Sequence, residues 1–182
     1  MAFTFHNLDA VTRRYMLQEL EMDLRNGKIF LSNRLAADGK EAFPALLREA
    51  IAAQDEEWLA EQVQPFLRDT EERQMSGGDV TTARVPVDAH TQLAEGEFNR
   101  YYIRGVCARA LDEGIDSVEV YRGKQVSQPR AESQAKIGQH LSAQALLDDL
   151  RSTSGSDDDP MLGVPAGPNS GLTVRLAPRQ AT

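Results

Sequence analysis

The chain has 182 residues, 41% of them hydrophobic, and carries 28 acidic against 20 basic side chains for a formal charge of -8. That length and apolar content suit one ordinary core with appendages better than two full domains. The acidity opposes general nucleic-acid binding, which depends on clustered Lys and Arg, and no run approaches the roughly 20 apolar residues of a membrane span.

In chain order, Asn7 is placed to cap a first helix over 8–25, with Leu17, Leu20 and Leu24 on one stripe and Val11 and Tyr15 extending it. Asn26-Gly27 stops it, and Ile29, Phe30 and Leu31 read as a short strand or an extended connector. Asp38-Gly39 forms a turn, and Pro44 fits the first turn of a helix reaching about Ala53 with Leu46, Leu47, Ala50 and Ile51 apolar. Asp55 caps another helix from Glu56 to about Leu67, which Pro65 bends or ends. Residues 70–84, TEERQMSGGDVTTAR, are polar and lack apolar periodicity, which predicts an exposed loop or hinge.

The clearest helical pattern lies in residues 95–114, EGEFNRYYIRGVCARALDEG. Ile103, Val106, Cys107, Ala110 and Leu111 fall on one face, Phe98 and Tyr102 widen it, and Arg100 and Arg104 sit four apart on an adjoining face. Asp88 is placed to cap a short lead-in, and Gly114 ends the helix. Ser117-Val118-Glu119-Val120-Tyr121 alternates as a half-buried strand does, and needs a partner from Ile29–Leu31, from Leu172–Leu176 or from a neighbouring subunit. A short helix over 129–137 and a Ser142-capped helix over 143–151 follow. Residues 152–160 and 163–171 are rich in Gly, Pro, Ser and Asp, so 152–182 reads as an arm punctuated by Met161, Leu162, Leu172, Val174 and Leu176. The expected fold is mainly α: a helical body with one or two short strands and an extended C-terminal arm. It divides into an N-terminal helical part (1–69), an exposed loop or hinge (70–87), a central helical part with a short strand (88–151) and the arm (152–182).

No catalytic constellation stands out. His6, His90 and His140 are far apart and lack metal-ligand spacing. The single cysteine, Cys107, excludes an internal disulfide and sits mid-helix on the apolar side, which predicts a buried, reduced thiol rather than a nucleophile. Asp157, Asp158 and Asp159 lack the alternating spacing of a calcium loop, and the glycines of 163–171 do not form a nucleotide loop. No cofactor and no enzymatic activity is expected. Arg100, Arg104, Arg109, Arg122, Lys124 and Arg130, close to Tyr101, Tyr102 and Tyr121, suit a protein interface, with salt bridges inside a packed domain as the plain alternative.

Three stretches, TRRYMLQELEMDLRNGKIFLSNRL (12–35), GEFNRYYIRGVCARAL (96–111) and MLGVPAGPNSGLTVRL (161–176), with VEVYRGKQVSQPRAESQ (118–134) between them, resemble a structural protein family of tailed bacteriophages, of the head-tail connector or head-completion type. The resemblance implies a non-enzymatic virion protein assembled in the bacterial host cytoplasm as a homo-oligomeric ring between portal and tail. Its partners would be copies of itself and portal, tail or capsid proteins, with at most non-specific contact with packaged DNA and none with membrane. On this reading Phe98, Arg100, Tyr101, Tyr102 and Arg104 lie near the working surface, and Met161, Leu162, Leu172, Val174 and Leu176 anchor an intersubunit arm. The alternatives are an acidic phage-encoded binding or inhibitor protein acting on a host factor, or a capsid-associated minor protein.

Overall fold

A computed structural model of the chain describes residues 2–167 and 170–178. The 24-residue helix α4 (Ala89–Asp112) runs through its middle, and other elements pack on it from several sides: α1 (Ala10–Arg25), α2 (Ala37–Ala53), α3 (Glu56–Val63), α6 (Ala143–Ser152) and the strands β3 (Ser117–Arg122) and β5 (Leu172–Leu176). The apolar spacing read from the sequence explains this position. Ile103, Val106, Cys107 and Ala110 are fully buried, as are Phe98 and Tyr102, and Leu111 is half-buried against the same core. Gly105 lets α1 approach closely, since a Cβ there would stand 2.5 Å from Met16 Cγ and 3.1 Å from the Met16 backbone nitrogen.

The remaining elements are a hairpin of β1 (Thr70–Gln74) and β2 (Val80–Arg84), the short helix α5 (Ala131–Lys136) and β4 (His140–Ser142). The fold is therefore mixed α and β, with helices predominating, rather than purely helical. Strand β3 is the centre of an antiparallel sheet ordered β4-β3-β5, pairing Val118 with Leu141 on one side and Val120 with Val174 on the other. The alternation in 117–121 thus finds its main partner in 172–176, one of the three expected candidates. Residues 28–32 are an irregular connector and 33–34 a turn, after which Leu35 bridges Leu67.

Several boundaries differ from expectation for local reasons. Asp9, not Asn7, caps α1 by accepting from Thr12 N at 2.9 Å, because the Asn7 side chain instead accepts from Leu176 N. Helix α2 starts well before Pro44, which lies inside it; Phe43, Leu47, Ala50 and Ile51 bury a stripe that holds the helix through the missing N–H. Asp55 and Ser142 do cap α3 and α6, accepting from Trp58 N and Ala145 N. The stretch expected as a loop or hinge is exposed, but it is a regular hairpin. Both its faces meet solvent, so its strands carry no apolar alternation for a sequence reading to find.

The inward side of α1 also differs from the leucine stripe. Leu20 is buried together with Met16, Glu19 and Asp23, whereas Leu17 and Leu24 are only partly buried. The two acids turn inward because fully buried Arg104 lies between them. Its Nε donates to Glu19 Oε2 at 2.9 Å, its Nη1 to Asp23 Oδ2 at 2.5 Å and to Ser154 Oγ at 2.8 Å. Tyr101 OH donates to Asp23 at 2.8 Å, and Arg151 Nη2 donates to Glu19 Oε1 at 2.6 Å. Burial alone would lower the Arg104 pKa, but its bonds to Asp23 and Glu19 outweigh that and raise it. Two acids and two arginines balance, which is what makes charge tolerable at this depth.

Arg104→Met keeps most of the volume but leaves Glu19 and Asp23 facing each other without their shared cation. The expected loss is about 3–5 kcal/mol in a urea titration. A loss below about 1 kcal/mol, the range of surface pairs, would show that the network does not order the α1–α4 contact.

Candidate functional site

The sequence reading put five residues of α4 near a working surface, and the structure corrects this. Phe98, Tyr102 and Arg104 are fully buried and Tyr101 nearly so; Arg100 alone keeps some exposure. The correction follows from the length and central place of α4, which is covered on more than its one obvious apolar face. Burial pushes the Tyr101 and Tyr102 hydroxyl pKa values up, consistent with neutral hydrogen-bonding groups. The arm anchors divide. Leu172 and Val174 are fully buried in the chain's own sheet and Leu176 is partly buried, while Leu162 is half-buried and Met161 is 94% exposed. Removing 152–182 would thus take out β5 and cannot be expected to spare the helical body.

The basic residues near α4 serve internal contacts. Arg109 binds Asp9 and Glu113 at 2.8 and 2.7 Å, Lys124 pairs with Glu95, and Arg122 donates to Ser170 O at 2.7 Å. This is the plain alternative of salt bridges within a packed domain. Cys107 is buried and its thiol pKa is pushed up by burial, with the Glu19 charge adding to the rise, so it is not poised as a nucleophile. Among the described residues no three His, Cys, Asp or Glu side chains are grouped to hold a metal ion.

What the structure adds is a cleft of about 430 Å³ over the N-terminal half of α4. Its floor is α4 around Glu97, Asn99 and Arg100, and one wall is the connector around Arg34 with Glu71 at the base of the hairpin. The other wall is the irregular segment before β5, including Asp157 and Ser170. That segment is tied down at several points. Arg100 Nη1 donates to Thr153 O at 3.0 Å, Asp149 accepts from Met161 N and Leu162 N at 2.9 and 2.7 Å, and Gly171 O accepts from Gly123 N at 2.8 Å. Gly171, with φ of 65°, is required there because a Cβ would fall 2.2 Å from Lys124 O.

Two floor residues are incompletely satisfied. Asn99, 3% exposed, donates from Nδ2 to Leu172 O at 2.9 Å, and its Oδ1 has no hydrogen-bond partner among the described residues. Glu97 is 5% exposed and accepts no hydrogen bond from the described residues; its nearest cation is Arg100 Nε at 3.7 Å. Burial raises the Glu97 pKa, Arg100 and Arg104 oppose the rise, and Asp23 and Asp157 add to it. No local pattern marks these two positions, because the wall that covers them comes from some 60–75 residues downstream.

The Glu97 shift has a definite sign for stability. A raised folded-state pKa means that its contribution is fully present below the ordinary value of 4.5 and is lost as pH rises through the folded value. Glu97→Gln keeps the shape and removes the charge. It is expected to be more stable than the parent at pH 7, with the difference shrinking as pH falls toward 4.5, in urea titrations at both pH values. A difference independent of pH would show that the carboxylate is not a source of instability.

Comparison of the chain with protein-family models, with curated proteins and with solved structures gave no significant match.

Proposed function

We propose that this chain is a non-enzymatic structural protein of a tailed-bacteriophage virion, one subunit of a ring at the head-tail connection, assembled in the host cytoplasm. The observation that supports an assembly role is the β1–β2 hairpin. Among the described residues it pairs only with itself, so each strand keeps one open backbone edge, and Met75 and Val80 near its tip are 56% and 64% exposed, with Val87 just beyond it 94% exposed. A two-stranded ribbon is marginal alone and gains from an added strand. An open edge of this kind is a standard means by which one subunit takes up an extended segment of another.

A hairpin of one copy meeting a different surface of the next is a heterologous contact, and such contacts close into rings when the rotation permits. The charge of -8, with the cations near α4 already in ion pairs, suits a wall that passes DNA without holding it. The resemblance of residues 12–35, 96–111 and 161–176 to phage connector and head-completion proteins supports the same reading. Copies of itself and the portal, tail or capsid proteins are its proposed partners.

The hairpin can be removed cleanly, since Val85 N donates to Asp69 O at 3.0 Å and its ends are adjacent. Replacing residues 72–82 with a Gly-Gly turn is expected to leave the urea midpoint of the body nearly unchanged. Light scattering of the parent mixed with a portal ring from the same genome should give a many-copy complex, and the shortened variant should remain in its starting state. A parent that ignores the ring, or a shortened variant that assembles equally well, would sink the proposal.

A further inference from the structure

The two edges of the β1–β2 hairpin are not equivalent. Val85 N donates to Asp69 O at 3.0 Å and Met75 N donates to Asp79 O at 2.7 Å, so residues 69, 71, 73 and 75 are the ones that exchange hydrogen bonds with 85, 83, 81 and 79. The N–H and C=O groups of the residues between them point away from the hairpin. On the β1 edge these belong to Thr70, Glu72 and Gln74, and on the β2 edge to Val80, Thr82 and Arg84. Among the described residues the three on β2 have no partner for these groups.

Side-chain chemistry separates the edges. Along β1 stand Glu71, Glu72 and Arg73, with Arg34 bound to Glu71 at its root, and charge of this kind keeps an edge from pairing. Along β2, residues 80–83 are uncharged and mostly β-branched, Val80 is 64% exposed, and Pro86 ends the edge. Asp79 and Arg84 bracket this run, and neither forms an ion pair with a described residue. A strand that fits is therefore short and uncharged, with a base where β2 has its acid and an acid where β2 has its base.

A second β2 laid antiparallel meets each of these requirements. With Thr82 opposite the partner's Thr82, Val80 falls opposite the partner's Arg84, and the outward N–H and C=O groups of both strands are all paired. Each Arg84 then comes beside the partner's Asp79, whereas parallel pairing in register would set like charges together at both ends. The same operation on β1 would put Glu72 directly opposite the partner's Glu72, which is destabilising.

We propose that copies of the free chain join in pairs along their β2 edges about a two-fold axis, giving an antiparallel sheet in the order β1-β2-β2-β1. The contact is isologous and closes at two copies, so it is a state of the protein outside any ring and does not rest on the virion reading. It buries backbone and a few side chains instead of a broad face, which places it among weak, reversible interfaces.

The test is sedimentation velocity of the full-length protein over a micromolar-to-millimolar concentration series, with amide hydrogen exchange followed by NMR at both ends of the series. A monomer–dimer equilibrium is expected. The amides of Val80, Thr82 and Arg84 should exchange more slowly at high concentration, while those of Thr70, Glu72 and Gln74 should not change. Thr82→Pro removes an N–H that the hairpin itself does not use and should weaken the dimer about tenfold or more. Glu72→Pro, its counterpart on β1, should leave dimerisation within about twofold of the parent. Asp79→Arg should weaken the dimer, and adding Arg84→Asp should restore it. The exchange measurement on the parent keeps the test decisive even where a proline disturbs the hairpin. A chain that stays monomeric throughout, slowed exchange on the β1 amides instead, or a dimer that Thr82→Pro leaves intact overturns the proposal.

Discussion

The Arg104 guanidinium fixes more of this molecule than any apolar contact does. A greasy interface between α1 and α4 would tolerate rotation of either helix, since many pairings of Leu, Met and Ile bury similar area. A fully buried arginine does not, because its fork must meet Glu19 and Asp23 in a narrow range of positions. Once those acids face inward, the rotation of α1 is set and Met16 and Leu20 follow. Arg151 and Ser154 join the same cluster from α6 and just beyond it. The place where the chain leaves α6 for the cleft wall is thereby fixed as well. Such pairs add little net stability over a hydrophobic substitute, and their value here lies in excluding other arrangements.

How far the sequence discloses this structure depends on where each signal is carried. Where an element's pattern is local, it is legible: the apolar face of α4, the caps Asp55 and Ser142, and the alternation of Val118 and Val120 all correspond to what the chain does. Where a residue's environment is set by distant chain, it is not. Arg100 and Arg104 read alike in sequence, four apart on one helix, yet Arg104 is sealed by α1 and residue 154 while Arg100 faces the cleft. The polar hairpin gave no period because neither face is buried. The cleft floor shows none because the wall over it, which includes Asp157, Pro165 and Ser170, lies far along the chain.

The hairpin and the cleft adjoin each other. Glu71 belongs to β1 and is bound by Arg34, and both line the cleft, so the base of the hairpin is one of its walls. Anything that displaced the Arg34–Glu71 pair would loosen the root of the hairpin. The body beneath has ties of its own: Arg109 binds Asp9 and Glu113, Arg122 binds Ser170 O and Gln134, and Lys124 binds Glu95.

The position of β5 in the sheet has a bearing on how the protein is made. Strand β3 lies between β4 and β5, and residues 3–7 are stitched to the same region: Thr4 N donates to Gly123 O, Tyr121 OH donates to Thr4 O, and Leu176 N donates to Asn7 Oδ1. The earliest described residues are therefore completed by nearly the last. On the ribosome, α1, α2 and α3 emerge and can associate, but Val118 and Val120 wait with one edge bare until residue 176 has cleared the exit tunnel. Nascent chains halted short of that point would carry an unfilled sheet edge, and quality-control proteases would have a ready means of telling an interrupted product from a finished one.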